Sequence, residues 1–185
     1  MLQPACPIVY TVSSSLFYSQ EFEAIRDRSI FLPNIKLHPQ SQPDQRDADG
    51  YYALRMFVHK RMDPALIEDE ALELAASMSG GVFRELARIM RGAVDRAMAR
   101  DASQVALPDV EGAAAEIRGE YRRILTDEQQ RLLLDVQAHN QLDQPDKYAP
   151  LMQMLAILEY ETEGEPWCDV HPALDSMLDE MRANS

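Results

Sequence analysis

Cysteine is almost absent from this 185-residue chain: Cys6 and Cys168 lie far apart, with no C-x-x-C spacing. That excludes a disulfide framework and gives no zinc motif. Lysine is scarce too, confined to Lys36, Lys60 and Lys147, and none follows a glycine loop. A phosphate-cradling G-x-x-x-x-G-K-[ST] loop therefore cannot be written. No apolar run is long enough to span a bilayer, and MLQPACPIVYTV lacks the basic-then-apolar order of a signal peptide. No membrane association is expected, and a cytoplasmic location follows by default. Positive charge is in deficit, with 18 Lys and Arg against 31 Asp and Glu, a net charge of −13. That balance opposes unspecific attraction to nucleic acid.

Hydrophobic content of 46% and charged content of 26% are those of a globular protein able to bury a core. The chain is organised around Ser77–Asp101. There Ser79-Gly80-Gly81 opens a long amphipathic pattern, with Phe83, Leu86, Ala87, Met90, Val94, Ala97 and Met98 at helical spacing. Arg84, Arg88 and Arg91 recur on another face. Backbone N–H groups at such a helix start attract anions, and an arginine one step in adds a fork of donors for phosphate oxygens. The structural alternative pairs these arginines with nearby acids such as Glu68, Asp69 and Glu70.

Before this stretch, Ile8–Val12 reads as a buried strand, a helical pattern runs through Leu16, Phe17, Phe22 and Ile25, and Ser29–Leu37 reads as a second strand bearing Pro33. Such a unit implies parallel neighbours joined by a right-handed crossover. Residues 38–50 form a polar loop, and helical spacing resumes at Tyr51. Asp63-Pro64 signals a helix start, carrying Leu66, Ile67, Ala71, Leu74 and Met78 into the glycine break. Another helix ends near Leu125. Thr126-Asp-Glu-Gln129 is a capping box, followed by a helix, a short second helix, strands Ile157–Glu161 and Trp167–Val170, and a last helix from Pro172. The fold class is thus α+β and predominantly helical. The divisions fall at 1–50, 51–125 and 126–185. The order helix, helix, hairpin, helix in the last part is close to a winged helix-turn-helix.

Ser79-Gly80-Gly81-Val82-Phe83-Arg84-Glu85-Leu86 resembles the sensor-2 region of AAA+ ATPases, in the initiator-like and signal-transducing branch. The resemblance extends from the fourth core strand to the end, with Leu158-Glu-Tyr160 and Trp167-Cys-Asp-Val170-His171-Pro172 in the winged-helix part. It implies a remnant strand–helix–strand of the parallel ATPase core in 1–50, a helical lid in 51–125 and a winged helix in 126–185. It also implies site residues. Arg84 would reach the γ-phosphate beside Gly80 and Gly81, Thr11 or Ser13 would stand at sensor 1, and Arg28 or Arg26 would be the arginine finger. The chain departs from the family in lacking a Walker A loop and any apolar strand ending in an Asp-Glu pair. The phosphate- and Mg²⁺-holding parts are expected upstream of Met1, so ATP and Mg²⁺ are cofactors only with that core present.

Residues 126–185 carry thirteen acids against three bases, giving −10 of the −13 total, with Glu159, Glu161, Glu163 and Glu165 alternating along the expected wing. A wing of carboxylates repels phosphates. The expected partner is a protein or the chain's own upstream ATPase core, with a homo-oligomer possible at full length. The second reading is a stand-alone winged-helix binding or adaptor protein, gripping protein or nucleic acid, with no nucleotide dependence. Cys168, Asp169 and His171 fall short of a metal set in spacing and number. The Phe83 ring is expected in the lid core, where its truncation would cost about 3 kcal/mol. Calorimetric titration of the chain alone with ATP and Mg²⁺ should show weak binding or none, and a tight Mg²⁺-dependent complex would overturn that expectation.

Overall fold

The computed structural model describes residues 8–12, 16–17, 20–142 and 145–183. Among them are seven α-helices and one two-stranded antiparallel sheet: α1 Ala48–His59, α2 Asp69–Met78, α3 Phe83–Ala99, α4 Leu107–Ile124, α5 Asp127–His139, α6 Pro145–Gln153, β1 Ile157–Thr162, β2 Glu165–Val170 and α7 Asp175–Ala183. The protein is predominantly helical, and short 3₁₀ turns link several of these elements.

The N-terminal expectations do not hold. Residues 8–12 are exposed, Val9 at 92%, and pair with nothing in a sheet. Residues 20–28 are 3₁₀ turns, and 29–37 is an extended strap without a ladder. No parallel sheet forms among the described residues, because neither β-prone run has a neighbouring strand to satisfy its backbone groups. The strap is held at a few points instead. The Asn34 N–H and side-chain amide both donate to Glu159 O (3.1 and 3.0 Å), and the Ile35 N–H donates to Gly81 O (3.3 Å). Phe22 is buried against Phe17, their ring centroids 4.1 Å apart.

Asp63 does cap, accepting from the Ala65 N–H, but it starts a 3₁₀ turn at Pro64–Leu66 rather than α2. Ile67 is drawn out of helix by a bridge to Val105, so the helix begins only at Asp69. Thr126 and Gln129 cap α5 reciprocally, as their spacing indicates. The buried side of α3 is Leu86, Ile89, Met90, Ala93 and Ala97, about one position round from the stripe read from sequence. Phe83 is consequently 43% exposed and lies against Phe57 at 4.7 Å, and Met98 is exposed too. Helix α4 runs along α3 so closely that a Cβ on Gly92 would sit 3.1 Å from the Ala113 methyl.

One hydrophobic cluster holds Leu54, Leu72, Leu86 and Ile117 from the first helices together with Leu133, Leu151, Ile157 and Leu174 from beyond residue 126. The hairpin is covered on both faces. Ile157, Cys168 and Val170 join that cluster, while Leu158, Tyr160 and Trp167 pack on Val82 and Leu155. Glu159 is therefore buried rather than presented on a wing; Glu161, Glu163 and Glu165 are exposed.

Between α2 and α3 the chain turns through Gly80 (φ +57°) and Gly81 (φ +79°). A Cβ on Gly81 would stand 1.8 Å from Ile35 O. Backbone strain and this clash together should make Gly81→Ala cost about 3 kcal/mol in a urea melt. Phe83→Ala should cost only about 1 kcal/mol, since half the ring is already in water.

Candidate functional site

The first turn of α3 gathers the charged groups of interest. Its N-cap, Val82, has no side chain able to accept from the helix start. Arg84 projects from this turn with its side chain 73% exposed, and its Nε lies 3.9 Å from Glu85 Oε1. Arg91, two turns further along α3, is exposed as well, whereas Arg88 and Arg96 of α3 and Arg100 at its C-cap are engaged more firmly. Arg88 pairs with Glu120 and Arg96 with Glu116 (2.5 Å), both across to α4. Arg100 holds Asp109 with two hydrogen bonds, which pulls that carboxyl below its usual range. Of the acids suggested as partners from sequence, two are taken elsewhere, Asp69 by Arg55 and Glu68 by Gln104 and the Leu107 N–H, while Glu70 is exposed.

Gly80 and Gly81 adjoin Arg84 in sequence, but their N–H groups are already used. The Gly80 N–H donates to Ser77 O and the Gly81 N–H to Ser79 Oγ. Gly80 O accepts from the Tyr160 hydroxyl at 2.7 Å, and a Cβ there would meet Leu158 at 2.2 Å. These glycines let the hairpin and strap approach the corner; they do not form a phosphate cradle. Arg26 pairs with Glu23 at 2.5 Å, and Arg28 is exposed in the same 3₁₀ turn. Thr11 is exposed on the unpaired N-terminal segment, and Ser13 lies outside the described residues. Among the predicted site residues, only the two glycines and Arg84 share one corner of the fold.

Two buried residues come together that the sequence does not link: Glu85, and His171, which the sequence presents only beside Cys168 and Asp169. Glu85 follows Arg84 yet is turned inward, its side chain 6% exposed, with Arg88 Nη1 3.6 Å from Oε2. His171 is fully buried and caps the turn Pro172–Leu174, its Nδ1 accepting from the Ala173 N–H. Its Nε2 faces Glu85 Oε2 at 4.0 Å, and neither atom has a hydrogen-bond partner. The usable sequence signal was His171-Pro172, which has the cap-then-proline form of Asp63-Pro64.

A cleft of about 580 Å³ lies apart from Arg84, lined among others by His38, Arg46, Gly80, Asp169, Asp175 and Asp179. His38 Nε2 stands 3.5 Å from Asp169, and that contact raises its pKa. Asp175, which accepts from the Gln137 amide, is pushed up to about 6 by desolvation of its carboxyl and by Asp169 and Asp179. Burial pushes the Cys168 thiol up to about 12, so it is no nucleophile at neutral pH. Among the described residues no group of three or more His, Cys, Asp or Glu side chains is arranged to hold a metal.

Burial, and secondarily Arg88, lowers His171 to about 4. Unfolding therefore takes up a proton at His171 between about pH 4 and 6.5, and its contribution to stability is lost as pH falls through that window. Asp175 acts oppositely: folding raises its pKa, so its contribution is lost as pH rises from about 4 to 6. Asp175→Asn should accordingly make the melting temperature fall more steeply from pH 6 to pH 4, as scanning calorimetry across that range would show. No protein-family model, curated protein or solved structure matches this chain.

Proposed function

We propose that the chain is the lid and C-terminal coupling part of an AAA+-like ATPase, sensing nucleotide state through Arg84 and passing it to a protein partner. The observation that carries this reading is the place of Arg84: it is the arginine in the first turn of α3, directly after the Gly80-Gly81 corner, and is held only loosely by Glu85. Arg88 and Arg96 are tied to carboxylates of α4, and Arg91, also exposed, stands two turns further along the helix. A cation at an uncapped helix start favours an approaching anion twice over, through its own charge and through the helix dipole.

This chain's own residues would supply one guanidinium to the nucleotide. ATP and Mg²⁺ would be held by an upstream core, to which Thr11 or Ser13 and Arg28 or Arg26 would also belong functionally. Gly80 and Gly81 serve by shaping the corner that presents Arg84. Residues 126–183 are read as a winged-helix-like module. The exposed Glu161, Glu163 and Glu165 at the hairpin tip favour a protein partner over nucleic acid. The second reading, an adaptor without nucleotide dependence, is favoured by the hydrophobic cluster that crosses residue 126 and by the acidic cleft, both independent of Arg84.

An antibody to this chain, used to isolate the native protein from its source, separates the two. Under the first reading the isolate hydrolyses ATP. Arg84→Ala then lowers turnover about tenfold to a hundredfold, because the arginine acts on charge that develops in the transition state. The same change should leave the melting temperature of the chain nearly unaltered. An isolate without ATPase activity, or one indifferent to Arg84→Ala, would favour the adaptor.

A further inference from the structure

Glu85 and His171 bring together two distant parts of the chain at a place where polar atoms are rarely left without partners. The tautomer of His171 is set by its surroundings. Nδ1 accepts the Ala173 N–H, so the neutral ring carries its proton on Nε2, the atom facing Glu85 Oε2 at 4.0 Å. The other oxygen of the same carboxylate faces Arg84 Nε at 3.9 Å. One buried carboxylate thus stands between an exposed arginine and a buried N–H donor, just beyond hydrogen-bonding distance of both. Arg88 Nη1 lies 3.6 Å from Oε2 and is itself held by Glu120.

The Tyr121 ring lies 5.7 Å from the imidazole, and Arg118 of α4 donates to Ala173 O. The backbone N–H of His171 donates to Ala156 O, directly before β1. His171 therefore cannot move without the start of the hairpin and the turn leading into α7.

We propose that Glu85 is a positioning residue for Arg84, and that the Glu85–His171 contact couples the arginine's turn to the hairpin and α7. When Arg84 swings to an anion it gives up its loose hold on Oε1. The carboxylate is then free to close the remaining gap to the His171 N–H. In the reverse state, Arg84 is drawn back over the carboxylate and the histidine contact loosens. The proposal rests on the reading of Arg84 as the nucleotide-facing group.

Two measurements test it. On the chain itself, ¹⁵N spectroscopy of His171 should show the Nε2-protonated tautomer, and Glu85→Gln should shift the His171 ring nitrogens. Melts of Glu85→Gln, His171→Asn and the double variant should be non-additive; asparagine keeps the acceptor that caps the turn, so the single variant is expected to fold. Additive melts together with the Nδ1-protonated tautomer would overturn the contact whatever Arg84 does. In the ATP-hydrolysing isolate, Glu85→Gln should lower kcat about threefold to tenfold with KM for ATP within twofold, and Arg84→Ala/Glu85→Gln should be no slower than Arg84→Ala. Loss of activity in Arg84→Ala with none in Glu85→Gln would sink the positioning role alone, whereas indifference to Arg84→Ala sinks the reading it rests on.

Discussion

Three backbone segments meet at Gly80 and Gly81, and the architecture depends on how closely they can approach. The strap reaches Gly81 through Ile35, the hairpin reaches Gly80 through Leu158 and the Tyr160 hydroxyl, and α2 and α3 diverge from the corner itself. Any side chain at either glycine would fill space that backbone or core already occupies. Their left-handed conformations also let α3 leave the corner with Arg84 facing outward and Glu85 inward. Sequence-adjacent residues thus reach opposite dielectric environments within one turn, and the difference in their chemistry follows from that.

Helix α4 gives the corner something rigid to stand on. It packs along α3 through small residues, forms ion pairs with Arg88 and Arg96, and reaches the C-terminal part through Arg118, Tyr121 and Arg122. Most of these ion pairs lie at the surface and each contributes little to stability. Their effect is on orientation: they tie Arg88 and Arg96 of α3 to α4, while Arg84 and Arg91 stay exposed.

Much of the helical part was legible because its signals are local. The Thr126–Gln129 box, the two hairpin strands and the amphipathic run after Gly81 each depend on residues within a few positions of one another. The failures share a different cause. Ile8–Val12 and Ser29–Leu37 have strand composition, but a strand needs a neighbour, and composition cannot say whether one is present. Asp63-Pro64 did begin a turn, yet the bridge between Ile67 and Val105 decided where the helix starts. The buried face of α3 is turned by one position, onto Ile89 and Ala93, because Gly92 lets α4 pack against that side, and apolar residues on both sides leave the stripe's edge undetermined in the sequence. Glu85 was hidden for a similar reason: a charged residue in a first helical turn reads as an exposed dipole partner, and only the distant His171 shows that it is buried.

The strap has a further consequence, for the order in which the molecule assembles. Its contact through Asn34 spans 125 residues to Glu159, whereas α1 to α4 and the hairpin are built largely from near neighbours. The cost of closing a loop grows only slowly with its length, but the strap has few bonds with which to offset it. The helices and hairpin must already be in place to receive the strap, so it joins last and is the first part to leave. Opening it would uncover Gly81 and Glu159 while the helical scaffold stays folded. In that opened form, residues 29–36 would be a tether anchored at Leu37, which stays in the main hydrophobic cluster, and free to find another surface without the rest of the protein unfolding.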